Sequence, residues 1–378
     1  MAFDRIKFYL DKVRFYAPSW ILNRALRVLG GKRVLADYYL SRTLNVGISY
    51  SDAVHTFQEI RSLEDWIPSW YRLGLKREAM AVKAEEEKRT CSAADLWMMA
   101  RAAFYTAQFP FFGNTELKDK IYRRCAQAYR HAAPQLNPPA MRLEIPFQKT
   151  YLPAYLRIPE KGTPEICLIV IGGIDGVKEE SHYYSEYFVR RGFSVLAFDA
   201  PGIGESWSRV KMDPNYGSVA KAVTEYLQKY EKMKFSYFGV MGLSLGGNIA
   251  VHFAVSGVSV RSCVVISPPF EPHLYFHKLF FIIRQAAQHV IGGGENLDLF
   301  LRRISLKEVV PHVRCPLFVI GGGMDAILPG EEALKVYQHA PEPKRILFYE
   351  DGTHVCPEYS VEMMGEIEKW FRQTLTTS

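Results

Sequence analysis

Several common features are scarce or missing in this 378-residue sequence. Its six cysteines are Cys91, Cys125, Cys167, Cys263, Cys315 and Cys356. They are widely spaced and form no C-x-x-C pair, so neither a zinc ribbon nor a disulfide framework is expected. Cys167, Cys263 and Cys315 fall in or beside apolar runs and read as small buried hydrophobes in a reducing compartment. No stretch approaches the roughly 18 apolar residues of a membrane span. The opening MAFDRIKFYLDKVRFY interleaves charges with apolar residues and lacks the unbroken apolar core of a signal peptide. A cytoplasmic protein without an integral membrane span is therefore expected. The formal charge is +7, yet no Lys/Arg block marks a nucleic-acid partner. Arg5, Lys7, Lys12 and Arg14 read as solvated helix charges. Low-complexity tracts and clear repeats are absent too.

What is present is ordinary globular material, 48% hydrophobic and 23% charged. The length suits one large domain and one smaller one. Up to about residue 140 the apolar residues recur every three or four positions, as at Phe8, Val13, Tyr16 and at Ile21, Leu22, Leu26, Leu29, which predicts helices. Segments 75–89, 92–108 and 115–133 are rich in strong helix formers. Ser92 and Asp95 suggest a helix start in S-x-x-D form. Pro134, Pro138 and Pro139 mark a linker. Beyond it, residues 142–159 suggest a β-hairpin. Unbroken apolar runs then alternate with helices at Ile166–Ile171, Ser194–Phe198, Tyr237–Met241, Cys263–Ile266, Leu317–Ile320 and Arg345–Tyr349. That rhythm predicts a parallel sheet covered on both faces. The expected division is a helical domain over 1–140 and an α/β domain over 141–378, the latter carrying an apolar helical stretch at His277–Val290.

The chemistry concentrates in the second half. Gly242-Leu-Ser-Leu-Gly246 is a G-x-S-x-G motif, with a strand leading in and a helix leading out. Such a turn is tight, lifts the Ser244 hydroxyl above the sheet and aims a helix N-terminus at developing negative charge. The rival reading is a glycine-rich turn with an idle serine. A serine hydroxyl needs a base to take its proton. Asp325 follows the strand at 317–320 and its glycine turn, and His354 follows the last strand. The order Ser244, Asp325, His354 is that of a catalytic triad in an α/β-hydrolase fold. Asp351 and Glu350 compete with Asp325, and His252 reads as a packing residue. His273 and His277 have metal-like spacing without a supporting glutamate motif, so no metal is expected. The Leu245 N–H supplies one oxyanion donor. The other comes from the turn Gly172-Gly-Ile-Asp-Gly176, with Gly173 preferred and Ile174 the alternative. That turn does not match G-x-G-x-x-G, so no dinucleotide and no other cofactor is expected. Asp199-Ala-Pro-Gly-Ile-Gly-Glu-Ser206 reads as a strand-end turn that shapes the site wall.

Gly172-Gly-Ile-Asp-Gly-Val-Lys-Glu-Glu180, Asp199-Ala-Pro-Gly-Ile-Gly-Glu-Ser206 and Gly242-Leu-Ser-Leu-Gly-Gly247 together resemble the α/β-hydrolases grouped with 2,6-dihydroxypseudooxynicotine hydrolase. The fungal naphthopyrone-shortening hydrolases and the fermentation–respiration switch protein are similar. The resemblance implies an N-terminal helical cap, a triad of Ser244, Asp325 and His354, and a small, aromatic or polyketide-like substrate. It also implies cleavage of a carbon–carbon bond beside a ketone, or of an ester. A glutamate outside the triad matters in the pyridine-ring enzyme. Glu271 is its candidate equivalent, against the alternative of a plain surface glutamate, and Tyr275 is a second candidate for substrate contact. Trp66, Trp70, Tyr71, Phe104, Tyr105, Phe109, Phe111 and Phe112 make the expected cap aromatic, with a pocket between cap and sheet and room for a homodimer. Transfer of the acyl group to another acceptor, or cyclisation, uses the same nucleophile and remains an alternative, as does a non-catalytic binding protein.

Overall fold

A computed structural model describes residues 18–109, 115–162, 165–279 and 281–375. The helical periodicity read at Phe8–Tyr16 and the aromatics Phe111 and Phe112 lie outside these residues. The described chain divides into two compact units, one running to Ala140 and including 281–282, the other covering Met141–Leu279 and the residues from Ile283 onward.

The first unit is helical. Its helices are α1 Ser19–Leu29, α2 Gly31–Val34, α3 Ala36–Asn45, α4 Tyr50–Glu59, α5 Trp66–Glu86, α6 Thr90–Gln108 and α7 Thr115–Ala132. Two boundaries differ from expectation. Helix α5 begins at Trp66, well before residue 75, because Pro68 sits in its first turn, where a missing N–H costs nothing. Helix α6 begins at Thr90, so Ser92 lies inside the first turn and caps nothing. From Ala100 to Gln108 every residue of α6 is buried, the pattern of a helix surrounded by others. Aromatic contacts set the packing. The Trp66 indole N–H reaches the carbonyls of Thr106 and Phe109, both at 2.8 Å. Trp70 meets Phe57 edge-on with ring centroids 5.4 Å apart.

The second unit is built on eight strands: β1 Met141–Phe147, β2 Thr150–Arg157, β3 Ile166–Ile171, β4 Ser194–Phe198, β5 Tyr237–Leu243, β6 Val260–Ile266, β7 Leu317–Gly322 and β8 Lys344–Tyr349. Their spatial order is β1-β2-β4-β3-β5-β6-β7-β8. Strands β1 and β2 form the expected hairpin, pairing Phe147 with Thr150. The tight turn places Gln148 at φ 53°. Strand β2 is antiparallel to β1 and β4, and all remaining pairs are parallel. Burial follows this arrangement. In β1 exposed and buried residues alternate toward its end, whereas β3, β4 and β7 are buried throughout, as strands covered on both faces must be.

The helices after β3 are α8 His182–Val189, α9 Tyr216–Gln228, α10 Leu245–Val255, α11 Phe281–Ile291, α12 Glu295–Arg303, α13 Glu331–His339 and α14 Ser360–Leu375. Val195, Met241, Val264 and Phe318 share one core with Phe188 of α8 and Ile367 and Phe371 of α14. Phe198 turns to the other face and meets Phe253 of α10 at 6.2 Å. The stretch expected as one helix over His277–Val290 divides: a 3-10 turn ends at Lys278, Leu279 is extended, and α11 starts at Phe281. No helix among the described residues is long and apolar enough to cross a membrane.

Candidate active site

The turn between β5 and α10 is built by close backbone approach. Ser244 sits at φ 53°, ψ −123°, a left-handed conformation that L residues adopt at a cost. A Cβ at position 242 would lie 2.0 Å from the Gly246 carbonyl oxygen, and one at 246 would lie 2.2 Å from that of Ile171. Only glycine fits either place. The Ser244 N–H donates to the Ile266 carbonyl at 2.8 Å, anchoring the turn to the end of β6. Ser244 is half-buried, and among the described residues its hydroxyl has no hydrogen-bond partner.

Asp325 and His354 come from the ends of β7 and β8. His354 Nδ1 lies 2.7 Å from Asp325 Oδ2, and both residues are buried. Asp325 Oδ1 accepts the N–H groups of Ile327 and Leu328, each at 2.8 Å. The carboxylate is therefore fully engaged, which fixes its orientation and makes His354 Nδ1 the donor. Nε2 is left for proton chemistry. The rivals stand elsewhere: Asp351 is exposed and accepts from the Tyr359 hydroxyl, and Glu350 is exposed.

Gly173 lies against Ser244, since a Cβ there would be 3.3 Å from Ser244 Cβ. Among the described residues, neither its N–H nor that of Leu245 has an acceptor. Leu245 opens α10, so its N–H lacks an intrahelical partner by construction. The N–H of Ile174 is equally uncommitted.

Glu271 and Tyr275 lie on the segment after β6. Glu271 is half-buried, and its carboxylate has no partner among the described residues. The Tyr275 hydroxyl is enclosed. Burial first, then the Glu332 and Asp325 carboxylates, hold it protonated well above the ordinary tyrosine range. His273 and His277 belong to separate short turns, and no cluster of potential metal ligands occurs among the described residues. His252 lies in α10 against the Tyr216 ring at 5.3 Å, and burial lowers its pKa to about 4.

Two positioning residues escape sequence reasoning. Glu332, buried at the start of α13, accepts the N–H groups of both Phe270 and Glu271 at 2.9 Å and so holds the segment that carries Glu271. In the sequence it is one of two acids opening a helix, an ordinary pattern. Ser267, at φ 46°, receives the Val355 N–H on its hydroxyl at 3.1 Å and ties the histidine loop to β6. Nothing local announces that contact.

Residues 35–281 match the family model of FrsA-like esterases. The chain belongs to that family. An FrsA-like chain with this sheet is an enzyme, an α/β-hydrolase. It is 28% identical over 333 residues to 2,6-dihydropseudooxynicotine hydrolase of Paenarthrobacter nicotinovorans, covering 87% of this chain and 89% of that one. It also resembles the crystal structure of the 2,6-dihydroxy-pseudo-oxynicotine hydrolase, with a TM-score of 0.81 and 27% identity over 89% of this chain and 96% of that one. The hydrolyase poxO of Penicillium oxalicum is 29% identical over 223 residues, 55% of this chain and 53% of the fungal one. The FrsA-like chain thus spans about half of poxO, but nearly the whole length of the Paenarthrobacter enzyme.

Proposed function

We propose that this FrsA-like protein is a serine hydrolase that cleaves an acyl bond in a small aromatic or polyketide-like substrate through an acyl-enzyme. The bond is carbon–carbon beside a ketone, or an ester. The observation that carries the reading is the buried 2.7 Å pairing of His354 Nδ1 with Asp325 Oδ2, in a chain that also holds a serine in a strained elbow. Ser244 Oγ attacks the carbonyl carbon while His354 Nε2 takes its proton. Asp325 holds the tautomer and stabilises the imidazolium. The N–H groups of Gly173 and Leu245 receive the oxyanion. Collapse of the tetrahedral intermediate breaks the bond to the leaving group, which takes the proton from His354. A carbon leaving group departs only as a stabilised enolate or phenol-like anion. Water, activated by the same histidine, then attacks the acyl-enzyme and restores Ser244. Glu271, with its uncommitted carboxylate, and Tyr275 are the proposed substrate contacts.

The test is turnover of p-nitrophenyl esters and aromatic β-diketones in isotopically labelled water, with wild type beside Ser244→Ala. Label in the acid product, and loss of turnover in the variant, are expected. Unlabelled product would replace hydrolysis by acyl transfer. Wild-type turnover in Ser244→Ala would remove the nucleophile assignment.

A further inference from the structure

Two motifs, the Gly172–Glu180 run after β3 and the Asp199–Ser206 turn after β4, contribute a cluster that the proton path does not use. At its centre Lys178 and Asp199 are buried, 1% and 0% exposed. The Lys178 N–H donates to Asp199 Oδ1 at 2.8 Å, and Lys178 Nζ donates to Asp199 Oδ2 at 2.8 Å. One carboxylate thus grips the lysine by both its backbone and its side chain. The same carboxylate accepts the Glu205 N–H at 2.9 Å. Glu205 returns its own side chain to Lys178 Nζ at 2.6 Å and to Arg142 of β1 at 2.5 Å. Glu179 Oε1 stands 2.7 Å from Nζ. Space is made for this by Gly204, where a Cβ would lie 2.4 Å from the Asp199 carboxylate.

A buried ion cluster is an inefficient way to stabilise a fold, because apolar side chains of equal volume often do as well or better. It does impose direction and length. Burial pulls the Lys178 pKa down, but the Asp199, Glu179 and Glu205 carboxylates outweigh it and hold the ammonium above its ordinary range. Burial would likewise raise Glu205, yet Lys178 and Arg142 hold it at about 2. The position of the clamp suggests its use. Residues 172–177 leave β3, pass Ser244 at Gly173, close a turn through the Gly176 N–H and Gly173 carbonyl at 3.1 Å, and end on Lys178.

We propose that the Lys178–Asp199 clamp is a positioning device for the oxyanion loop, holding the Gly173 N–H at the height of the transition-state oxygen. The proposal rests on Ser244 as nucleophile and Gly173 as donor. Lys178 touches no reacting atom. Its loss lets the loop relax, which weakens binding of the charged intermediate and leaves ground-state binding of the substrate in place.

The test compares wild type, Lys178→Met and Asp199→Asn with p-nitrophenyl butyrate and with a trifluoromethyl ketone inhibitor, whose hydrate-like adduct needs the same donors. Circular dichroism at the assay temperature establishes folding. Each folded variant should lose about 10- to 100-fold in kcat, less than the roughly 10²–10³ of deleting a donor outright. KM should stay within about threefold, and inhibitor affinity should fall in step with kcat/KM. A folded variant with kcat within about threefold of wild type, or with a loss confined to KM, overturns the proposal. If Lys178→Met fails to fold, Asp199→Asn decides by the same criteria. Failure of both to fold assigns the cluster to stability and also overturns the proposal. Ser244→Ala is run alongside, and wild-type turnover in that variant would sink the nucleophile reading itself, independently of the clamp.

Discussion

The helical unit and the α/β unit place their residues by opposite means. In the first, side-chain volume decides: Trp66, Trp70 and Phe57 are buried and fix the helices by ring contact. In the second, the proposed catalytic positions are set by backbone. Ser244 is oriented by glycines that bring chain segments closer than any Cβ allows, and Asp325 is aimed by two main-chain N–H groups. The lesson is that damage should appear differently in the two. A side chain removed from the first should cost stability. A side chain removed from the second should cost activity while the fold survives.

The largest effect tests the second half of that contrast. Ser244→Ala should lower ester turnover by about 10⁴ or more, with an unchanged or slightly raised Tm, since no folding contact of the hydroxyl is lost. Asp325→Asn should lose about 10⁴ in kcat, because the amide favours the wrong imidazole tautomer. Asp351→Asn is its control, expected within about twofold of wild type, and a reversed outcome would move the acid to Asp351. Next comes the first half. Trp70→Ala should cost about 3–5 kcal/mol in denaturant unfolding. The Trp70 indole N–H has no acceptor among the described residues, so packing alone is lost.

A smaller effect crosses the boundary of the comparison, because it places a pure packing role inside the α/β unit. His252 is half-buried, and loss of solvent around its ring lowers its pKa to about 4, against about 6.5 in an unfolded chain. Between these values the unfolded state binds the proton and the native state does not, so stability falls as pH drops from 6.5 to 4. His252→Leu should flatten that part of the pH–stability curve, removing a slope worth on the order of 3 kcal/mol in total. Unaltered acid sensitivity would show that His252 is not its source.

The strands and the order of Ser244, Asp325 and His354 were legible because they rest on local signals: apolar runs, glycine turns and position after a strand end. Boundaries were less so, as α5 shows: the run of strong helix formers opens at residue 75, whereas the helix opens at Trp66 and tolerates a proline in its first turn. What could not be read are pairings between distant segments. Asp199 grips Lys178 across 21 positions, Ser267 meets Val355 across 88, and Glu332 holds Phe270 across 62. The motifs containing Lys178 and Asp199 were visible individually. Only folding showed that they answer each other.

Six residues other than glycine have a positive φ among the described residues, and four of them, Ser244, Ser267, Val355 and Cys356, stand around the candidate site. A glycine would relax at any of these places. Directed evolution for heat resistance alone should therefore be drawn to Ser244→Gly, and the survivors of such a selection would be durable and silent. Tension in the main chain acts here as a marker of usefulness, and a screen that rewards longevity without asking for work would erase it.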